Sequence, residues 1–335
     1  MSKAVLVTGG AGFVGAHICE HLLVNTDWDV ISLDRLSYAG SLARLADLRI
    51  NYPQRLKVVF HDFRAQYPAS VINQLLDVRY IIHNGAETHV DRSLSDAEPF
   101  VTSNVLGTMW TLEMARKIDL EHFILVSTDE VHGPAPEGTD FAEDAPIKPS
   151  NPYSASKAGA EALAYAYWNS FKLPVTITRT MNLFGERQHT EKFIPMTIRK
   201  ILNGEEVSVH PGSRKWIHAR NQADAMLFLL KEIAASGETY HIAGSERTNY
   251  EIAQFIANTL NKHLHFKFVD SHRPGHDLRY SLDDTKIKAL GWQPPMAFES
   301  SLRKAIEWTA AQENRFWLDS EPVSVKAAKR SFSRL

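Results

Sequence analysis

Between Ser127 and Lys157 the chain gathers residue types that can move protons. An apolar run, Phe123-Ile124-Leu125-Val126, reads as a buried strand and leads into Ser127-Thr128-Asp129-Glu130-Val131-His132-Gly133. The stretch closes with Tyr153-Ser154-Ala155-Ser156-Lys157, and Pro152 in front of it suits the first position of a helix. Tyr153 and Lys157 are four residues apart and share a face of that helix. An ammonium beside a phenol favours the phenolate, which predicts a lowered Tyr153 pKa and a base usable near neutrality. Thr128 supplies a hydroxyl, and Asp129 and Glu130 supply two adjacent carboxyls, at the strand end where doubly wound folds keep their ligands. Two carboxyls with opposite tasks need separated pKa values, which unequal burial provides. The plainer reading makes both acids solvated loop residues, and their place beside Thr128 after a strand disfavours it.

These groups need a scaffold, and the chain supplies one from its first residues. Strand Ala4-Val5-Leu6-Val7 runs into Thr8-Gly9-Gly10-Ala11-Gly12-Phe13-Val14-Gly15, followed by a helical pattern through Leu23. Glycines at 9, 12 and 15 allow a tight turn, close approach to a pyrophosphate and packing of helix on strand. A second strand, Asp29–Leu33, ends at Asp34, 22 residues after Gly12. A carboxylate there suits ribose hydroxyls and repels a 2′-phosphate, which favours NAD over NADP, although Arg35 argues mildly the other way. Strand Leu56–Phe60 ends near Asp62 and Phe63, an expected edge of an adenine pocket. Strand Tyr80–His83 leads to Gly85 and Ala86, small enough for a cofactor to lie against the backbone. A helix over about Pro99–Ile118 carries Ser103 and Asn104, and Val175–Thr178 reads as a sixth strand. Strands alternating with helices at these spacings predict an α/β, doubly wound parallel sheet.

The 335 residues suffice for a sizeable core and a second lobe. With 44% hydrophobic and 23% charged residues the chain is ordinary for a globular protein. A net charge of -2 gives no case for nucleic acid or an anionic membrane as partner. The single Cys19 forms no intrachain disulfide, and with no signal peptide or membrane-length apolar run this predicts a cytoplasmic setting. The 15 histidines show no metal-ligand spacing, so no metal is expected. His83, His132 and His218 read as packing or hydrogen-bonding residues, and Trp308, Phe316 and Trp317 as core.

From about Asn182 the pattern loosens and Pro, Gly and Arg increase. Helical stretches are expected at Asn221–Ala235, Asn249–Asn261 and Glu299–Arg315, with short strands such as Thr239–Ala243 between them. The division expected is 1–181 for a cofactor-binding domain and 182–322 for a smaller substrate-binding lobe, with returns to the first domain possible. Residues 323–335 form a basic tail.

Taken together, the motifs resemble the extended short-chain dehydrogenase/reductase family, in particular its nucleotide-sugar 4,6-dehydratases. The glycine loop and Tyr153-x-x-x-Lys157 carry the broad likeness, and Thr128-Asp129-Glu130 the narrower one. Ser37-Tyr38-Ala39-Gly40, His89-Val90-Asp91-Arg92-Ser93, Glu191–Pro195 and Arg273–Asp277 match as well. The resemblance implies a Rossmann sheet, recycled NAD and a lyase reaction turning an NDP-glucose, dTDP-glucose foremost, into its 4-keto-6-deoxy form. It implies that Thr128, Asp129, Glu130, Tyr153 and Lys157 are catalytic. Gly9, Gly12, Phe13, Val14, Gly15, Asp34, Arg35, Ser37, Asp62, Phe63, Gly85, Ala86 and Ser103 would bind cofactor, with Tyr153 and Lys157. Thr88, Asn182, Lys192, Arg214, Asn249, Arg273 and His276 would bind the nucleotide sugar. A homodimer formed through the helices Pro99–Ile118 and Ser154–Phe171 is implied too. The chain departs from the pattern at His132, where the family has Tyr, and at Leu183-Phe184, where it has Asn-Tyr. The alternatives are a nucleotide-sugar 4-epimerase or decarboxylase of the same fold, and a non-catalytic NAD-binding protein.

Overall fold

The computed structural model describes residues 3–232, 236–269 and 279–319. The first half runs β1 (Ala4–Thr8), α1 (Phe13–Asn25), β2 (Asp29–Asp34), α2 (Ala46–Asn51), β3 (Leu56–Phe60) and α3 (Ala69–Ile72). It continues with β4 (Val78–His83), α4 (Val90–Ser95), α5 (Glu98–Phe100), α6 (Gly107–Ala115), β5 (His122–Thr128), α7 (Pro152–Phe171) and β6 (Val175–Thr180). The second half contains β7 (Asn182–Phe184), α8 (Phe193–Leu202), β8 (Val207–Val209), β9 (Ser213–His218), α9 (Ala219–Lys231) and β10 (Thr239–Ile242). Then come β11 (Ser245–Thr248), α10 (Asn249–Thr259), β12 (Phe266–Phe268), β13 (Arg279–Tyr280), α11 (Thr285–Ala289), α12 (Phe298–Ala310) and α13 (Phe316–Asp319).

Strands β1, β5 and β6 are buried along their whole length, as expected of a sheet covered on both faces. The seven-stranded sheet has the order β10-β6-β5-β4-β1-β2-β3, every pair parallel. Strand order reverses between β1 and β4, so the crevice beyond their carboxyl ends is where such a fold binds ligands. The α/β, doubly wound parallel sheet expected of the sequence is therefore present. Gly9 adopts φ +66°, and a Cβ added to it would meet the Gly85 backbone at 2.8 Å. A Cβ on Gly15 would meet the Gly9 carbonyl oxygen at 2.1 Å, so the glycine lets α1 pack against the turn.

Residues beyond 182 serve both halves. α9 lies along α1, and β10 forms the edge of the large sheet. The rest builds a second core around Ile194, Ile198, Ile252, Ile256, Leu302 and Ile306, under a sheet of order β11-β9-β13 with β7 added on β9. α9 begins at Ala219, earlier than expected, because His218 caps it by accepting from the Arg220 amide. The helix expected over Pro99–Ile118 spans α5, a π-helical segment Val101–Leu106, and α6. α12 stops at Ala310, short of the expected Arg315.

The C-terminal aromatics correct the sequence reading. Phe316 is exposed, and Trp308 and Trp317 are half-buried rather than core. Their faces are occupied by cations instead: Arg187 lies 5.8 Å from the Trp308 ring and Arg44 lies 5.0 Å from that of Trp317. The basic tail, residues 323–335, lies outside the described residues. Among the described residues no helix is long and apolar enough to cross a membrane.

Candidate active site

A cleft of about 510 Å³ opens beyond the carboxyl ends of β1, β4 and β5 and extends toward β7, β9 and α8. At its floor stands the stretch singled out above. β5 ends at Thr128, whose hydroxyl accepts from the Glu130 amide (3.3 Å) and starts a 3₁₀ turn over Asp129–His132. α7 begins at Pro152, capped by Asn151, and brings Tyr153 and Lys157 into the same cleft. All five expected catalytic residues line it.

The electrostatics are uneven. Asp129 is 5% exposed, and its Oδ1 accepts from the Thr128 hydroxyl at 3.0 Å. Its Oδ2 has no hydrogen-bond partner among the described residues. Burial, reinforced by the charge of Glu130, pushes the Asp129 carboxyl up to about 7. An acid so placed holds a proton near neutrality and can give it away.

Tyr153 departs from expectation. Burial foremost, then the charges of Glu130 and Asp129, pushes its phenol up rather than down, and a hydrogen bond to Thr128 only partly opposes this. The i, i+4 spacing correctly put Lys157 on the same face, but the ammonium points past the phenol and donates to the Val126 carbonyl at 2.7 Å. Lys157 is itself pulled down to about 8 by burial, with Glu161 acting the other way.

On the cofactor side, Gly9, Gly12, Phe13, Val14, Asp34, Arg35, Ser37, Phe63, Gly85 and Ala86 line the cleft. The Asp34 carboxylate accepts from the Ala11 amide (3.0 Å) and the Leu36 amide (2.7 Å), which fixes it at the end of β2. Arg35 is engaged by Glu87 at 2.6 Å and lies 3.9 Å from Asp62, so its charge is already paired. Gly15 packs behind the turn and does not reach the cleft. Asp62 faces an adjoining depression, held by Arg64 at 2.6 Å. Ser103 is fully buried in the π-helical segment outside the cleft lining, its hydroxyl without a partner among the described residues. Gly85 is small for a second reason besides ligand approach: a Cβ there would meet the Phe63 ring at 2.6 Å.

On the opposite side Thr88, Asn182, Lys192 and Arg214 line the cleft. Asn249 does not, since its amide donates to the His210 carbonyl at 3.1 Å. Arg273 and His276 lie outside the described residues. The structure adds lining residues that sequence reading did not assign, among them Tyr38, Arg44, His89, His189, Glu191, Trp216 and Tyr280. Tyr38 and Glu191 meet by a 3.1 Å hydrogen bond, and Arg92 lies 3.7 Å from the Tyr38 ring. Both residues sit in motifs already noted, so a signal existed for them. Arg44 carried none: it is buried and ties three loops by donating to the carbonyls of Ala39 (2.7 Å), Arg187 (3.0 Å) and Ala11 (3.4 Å). No group of three or more His, Cys, Asp or Glu suited to a metal occurs among the described residues.

Comparison with known proteins narrows the reading. The profile of the GDP-mannose 4,6 dehydratase family matches residues 6–305. The low-salt glycan biosynthesis protein Agl12 of Haloferax volcanii is 43% identical over 310 residues, which cover 91% of this chain and 97% of that one. A dTDP-glucose 4,6-dehydratase of Neisseria gonorrhoeae is 37% identical over 341 residues, covering 93% and 97%. In structure the chain is similar to DesIV, a dTDP-glucose 4,6-dehydratase of Streptomyces venezuelae crystallised with NAD and TYD, at a TM-score of 0.87 and 37% identity over 94% and 98% of the two chains. These likenesses bear out the family expected from the motifs, and the chain belongs to the GDP-mannose 4,6 dehydratase family of nucleotide-sugar dehydratases.

Proposed function

We propose that this chain is an NAD-dependent nucleotide-sugar 4,6-dehydratase that converts dTDP-glucose to dTDP-4-keto-6-deoxyglucose and water. The observation that carries the reading is the Asp129–Glu130 pair: one buried carboxyl held near neutrality beside a second at the same strand end. Epimerisation at C4 asks for no such pair. NAD fits the residues present, since the close-packed Gly9 turn admits no side chain, Asp34 stands fixed at the ribose position and Arg35 is already paired. When bound, NAD supplies the hydride acceptor for C4, the hydride donor for C6 and a positively charged ring.

The chain's own residues move the protons. The burial and the carboxylate charges that raise the Tyr153 phenol would be offset by the positive ring of bound NAD. As phenolate, Tyr153 takes the proton of the C4 hydroxyl, with Thr128 hydrogen-bonded beside it, while Lys157 orients the cofactor. The 4-keto group acidifies C5, and Glu130 removes the C5 proton. Asp129 gives its proton to the C6 hydroxyl, which leaves as water as the C5–C6 double bond forms. Glu130 then returns a proton to C5 once C6 has gained hydride. Tyr153 ends one proton richer and Asp129 one poorer, so the total is unchanged. Passage of that proton from Tyr153 to Asp129 past the Thr128 hydroxyl, which touches both, restores the starting state.

Arg214 and Lys192 match a diphosphate. Thr88 and Asn182 suit the sugar, and the nucleotide-sugar lobe is assigned to 182–322 less the returns of α9 and β10 to the first domain, with Asn249, Arg273 and His276 also assigned to the nucleotide sugar. Two copies pair through the outer faces of α5–α6 and α7, where Val101, Leu106, Tyr165 and Phe171 are exposed. The lone Cys19 agrees with a reducing cytoplasm. Incubation with dTDP-, UDP-, CDP- and GDP-glucose, followed for an alkali-sensitive 4-keto product, tests the reading and its nucleotide. Product from dTDP-glucose is expected first, and the absence of product from all four overturns the assignment. Sedimentation tests the dimer.

A further inference from the structure

The two carboxyls differ in what touches them. The Asn151 side-chain amide donates from Nδ2 to Glu130 Oε2 at 3.0 Å. Its other end is committed too, since Oδ1 accepts from the Ser154 amide at 2.9 Å as the N-cap of α7. The Asn151 backbone N–H donates to the Ser154 hydroxyl at 3.2 Å, completing a capping box. Flipping the amide would set NH₂ against the Ser154 N–H and oxygen against a carboxylate, so its orientation is forced. One buried residue thus locks the helix carrying Tyr153 and Lys157 to the turn carrying Asp129 and Glu130.

Capping alone does not ask for asparagine. Serine and aspartate cap helices about as well. Only asparagine caps α7 and also presents an N–H to Glu130. A donor with no acceptor role at that end favours an ionised partner. Asp129 receives the Thr128 hydroxyl on one oxygen and no partner on the other among the described residues.

We infer that Asn151 is a positioning residue that holds Glu130 as the ionised base and so decides which of the two neighbouring carboxyls carries the proton. This rests on Glu130 being the C5 base. Among the described residues, the charged and titratable groups set against this pair include Asp129 on the same turn, Tyr153 from α7, Lys192 at the start of α8 and Arg214 of β9, which acts on Asp129. None of them is altered by a change at residue 151.

The experiment compares the wild type with Asn151→Ser and Asn151→Asp, which keep the cap and remove the amide N–H that reaches Glu130. Both variants should melt within a few degrees of the wild type. With dTDP-glucose in D₂O, deuterium entry at C5 should slow about tenfold or more, the size of losing one hydrogen bond to a charged group. C4 oxidation, seen as enzyme-bound NADH, and KM should hold. The acid limb of the turnover profile should move to higher pH, further in Asn151→Asp, where a third carboxylate joins. An independent readout needs no substrate: infrared titration of the Glu130 carboxyl, assigned by its loss in Glu130→Gln, should show the same upward move. An unmoved titration and pH profile, or equal slowing of C4 oxidation and C5 exchange, overturns the inference and leaves Asn151 a cap only. Failure of the wild type to form any 4-keto product would instead overturn the reaction assigned above, while the infrared titration still judges Asn151.

Discussion

Asp129 and Glu161 are both buried carboxyls beside strands β5 and β6, and their surroundings treat them in opposite ways. Glu161, one turn after Lys157 on α7, meets Arg179 through contacts of 2.8 and 3.2 Å. Arg179, opposite Ser127 in the sheet, donates further to the Glu143 carbonyl (2.9 Å) and to His132 Nε2 (3.0 Å). Asp129 has the Thr128 hydroxyl and a like-charged neighbour. A buried acid with a bidentate cation is part of the frame, whereas one next to another acid holds a proton it can give away. The frame lies directly beneath the chemistry, and His132, two residues after Glu130, belongs to it.

The contrast breaks hardest on the reactive side. Tyr153→Phe removes the group to which we assign the C4 proton, and turnover should fall about 10²–10⁴-fold, with nucleotide-sugar binding nearly intact by calorimetry. Near-normal turnover in a folded variant would take Tyr153 out of the mechanism. On the frame side, Arg179→Met strands a buried carboxylate and should cost roughly 3–5 kcal/mol in denaturant unfolding. Adding Glu161→Met should recover much of that loss. If the double variant is as unstable as the single one, the pair is not what holds the frame.

Asp129→Asn probes the same contrast through pH. The folded pKa of Asp129, about 7, lies above its ordinary 3.8, so the native state binds the extra proton. Stability conferred by that proton is therefore lost as pH rises from about 4 to about 7. The asparagine variant should gain on the order of a few kcal/mol over the wild type at pH 8 and nothing below pH 4, measured by melting at each pH. Turnover of the wild type should decline as pH climbs past about 7, because the acid for the C6 hydroxyl is spent. A flat stability difference across that range would show that Asp129 is solvated after all. The smallest effect expected is at the cofactor. Extraction with denaturant should release NAD, since Arg35 is engaged by Glu87. NADP as the main species would show that this ion pair yields to a 2′-phosphate.

Much of this was legible in residue order. The Val/Ile/Leu runs of β1, β4 and β5 announce a buried parallel sheet, and glycines 9, 12 and 15 announce the turn that follows. The Thr128-Asp129-Glu130 and Tyr153/Lys157 spacings placed five groups in one cleft, because a strand end and a helix face convert spacing directly into position. Spacing reports neither burial nor where a long side chain points, which is why the Tyr153 shift is reversed: burial and the charge of Glu130 raise the phenol, while Lys157 reaches the Val126 carbonyl. Arg44 was silent because two of its three carbonyl partners, Ala11 and Arg187, come from loops distant in sequence. Asn151 looked like any helix cap, and its second contact depends on a turn 21 residues earlier. The aromatics near the C-terminus suggested core by composition, yet Phe316 ends exposed and its neighbours stack on arginines.

The central claim is that Glu130 removes the C5 proton and Asp129 expels the C6 hydroxyl, within a cycle that moves hydride from C4 to C6. It is tested most directly by turning over dTDP-glucose deuterated at C4 in ordinary water, and unlabelled dTDP-glucose in D₂O, with both products read by NMR. The account predicts that the C4 label reappears at C6 without dilution, and that the D₂O product carries deuterium at C5. Return of the label to C4, with C5 protiated and the C6 hydroxyl intact, would contradict it and make the enzyme an epimerase.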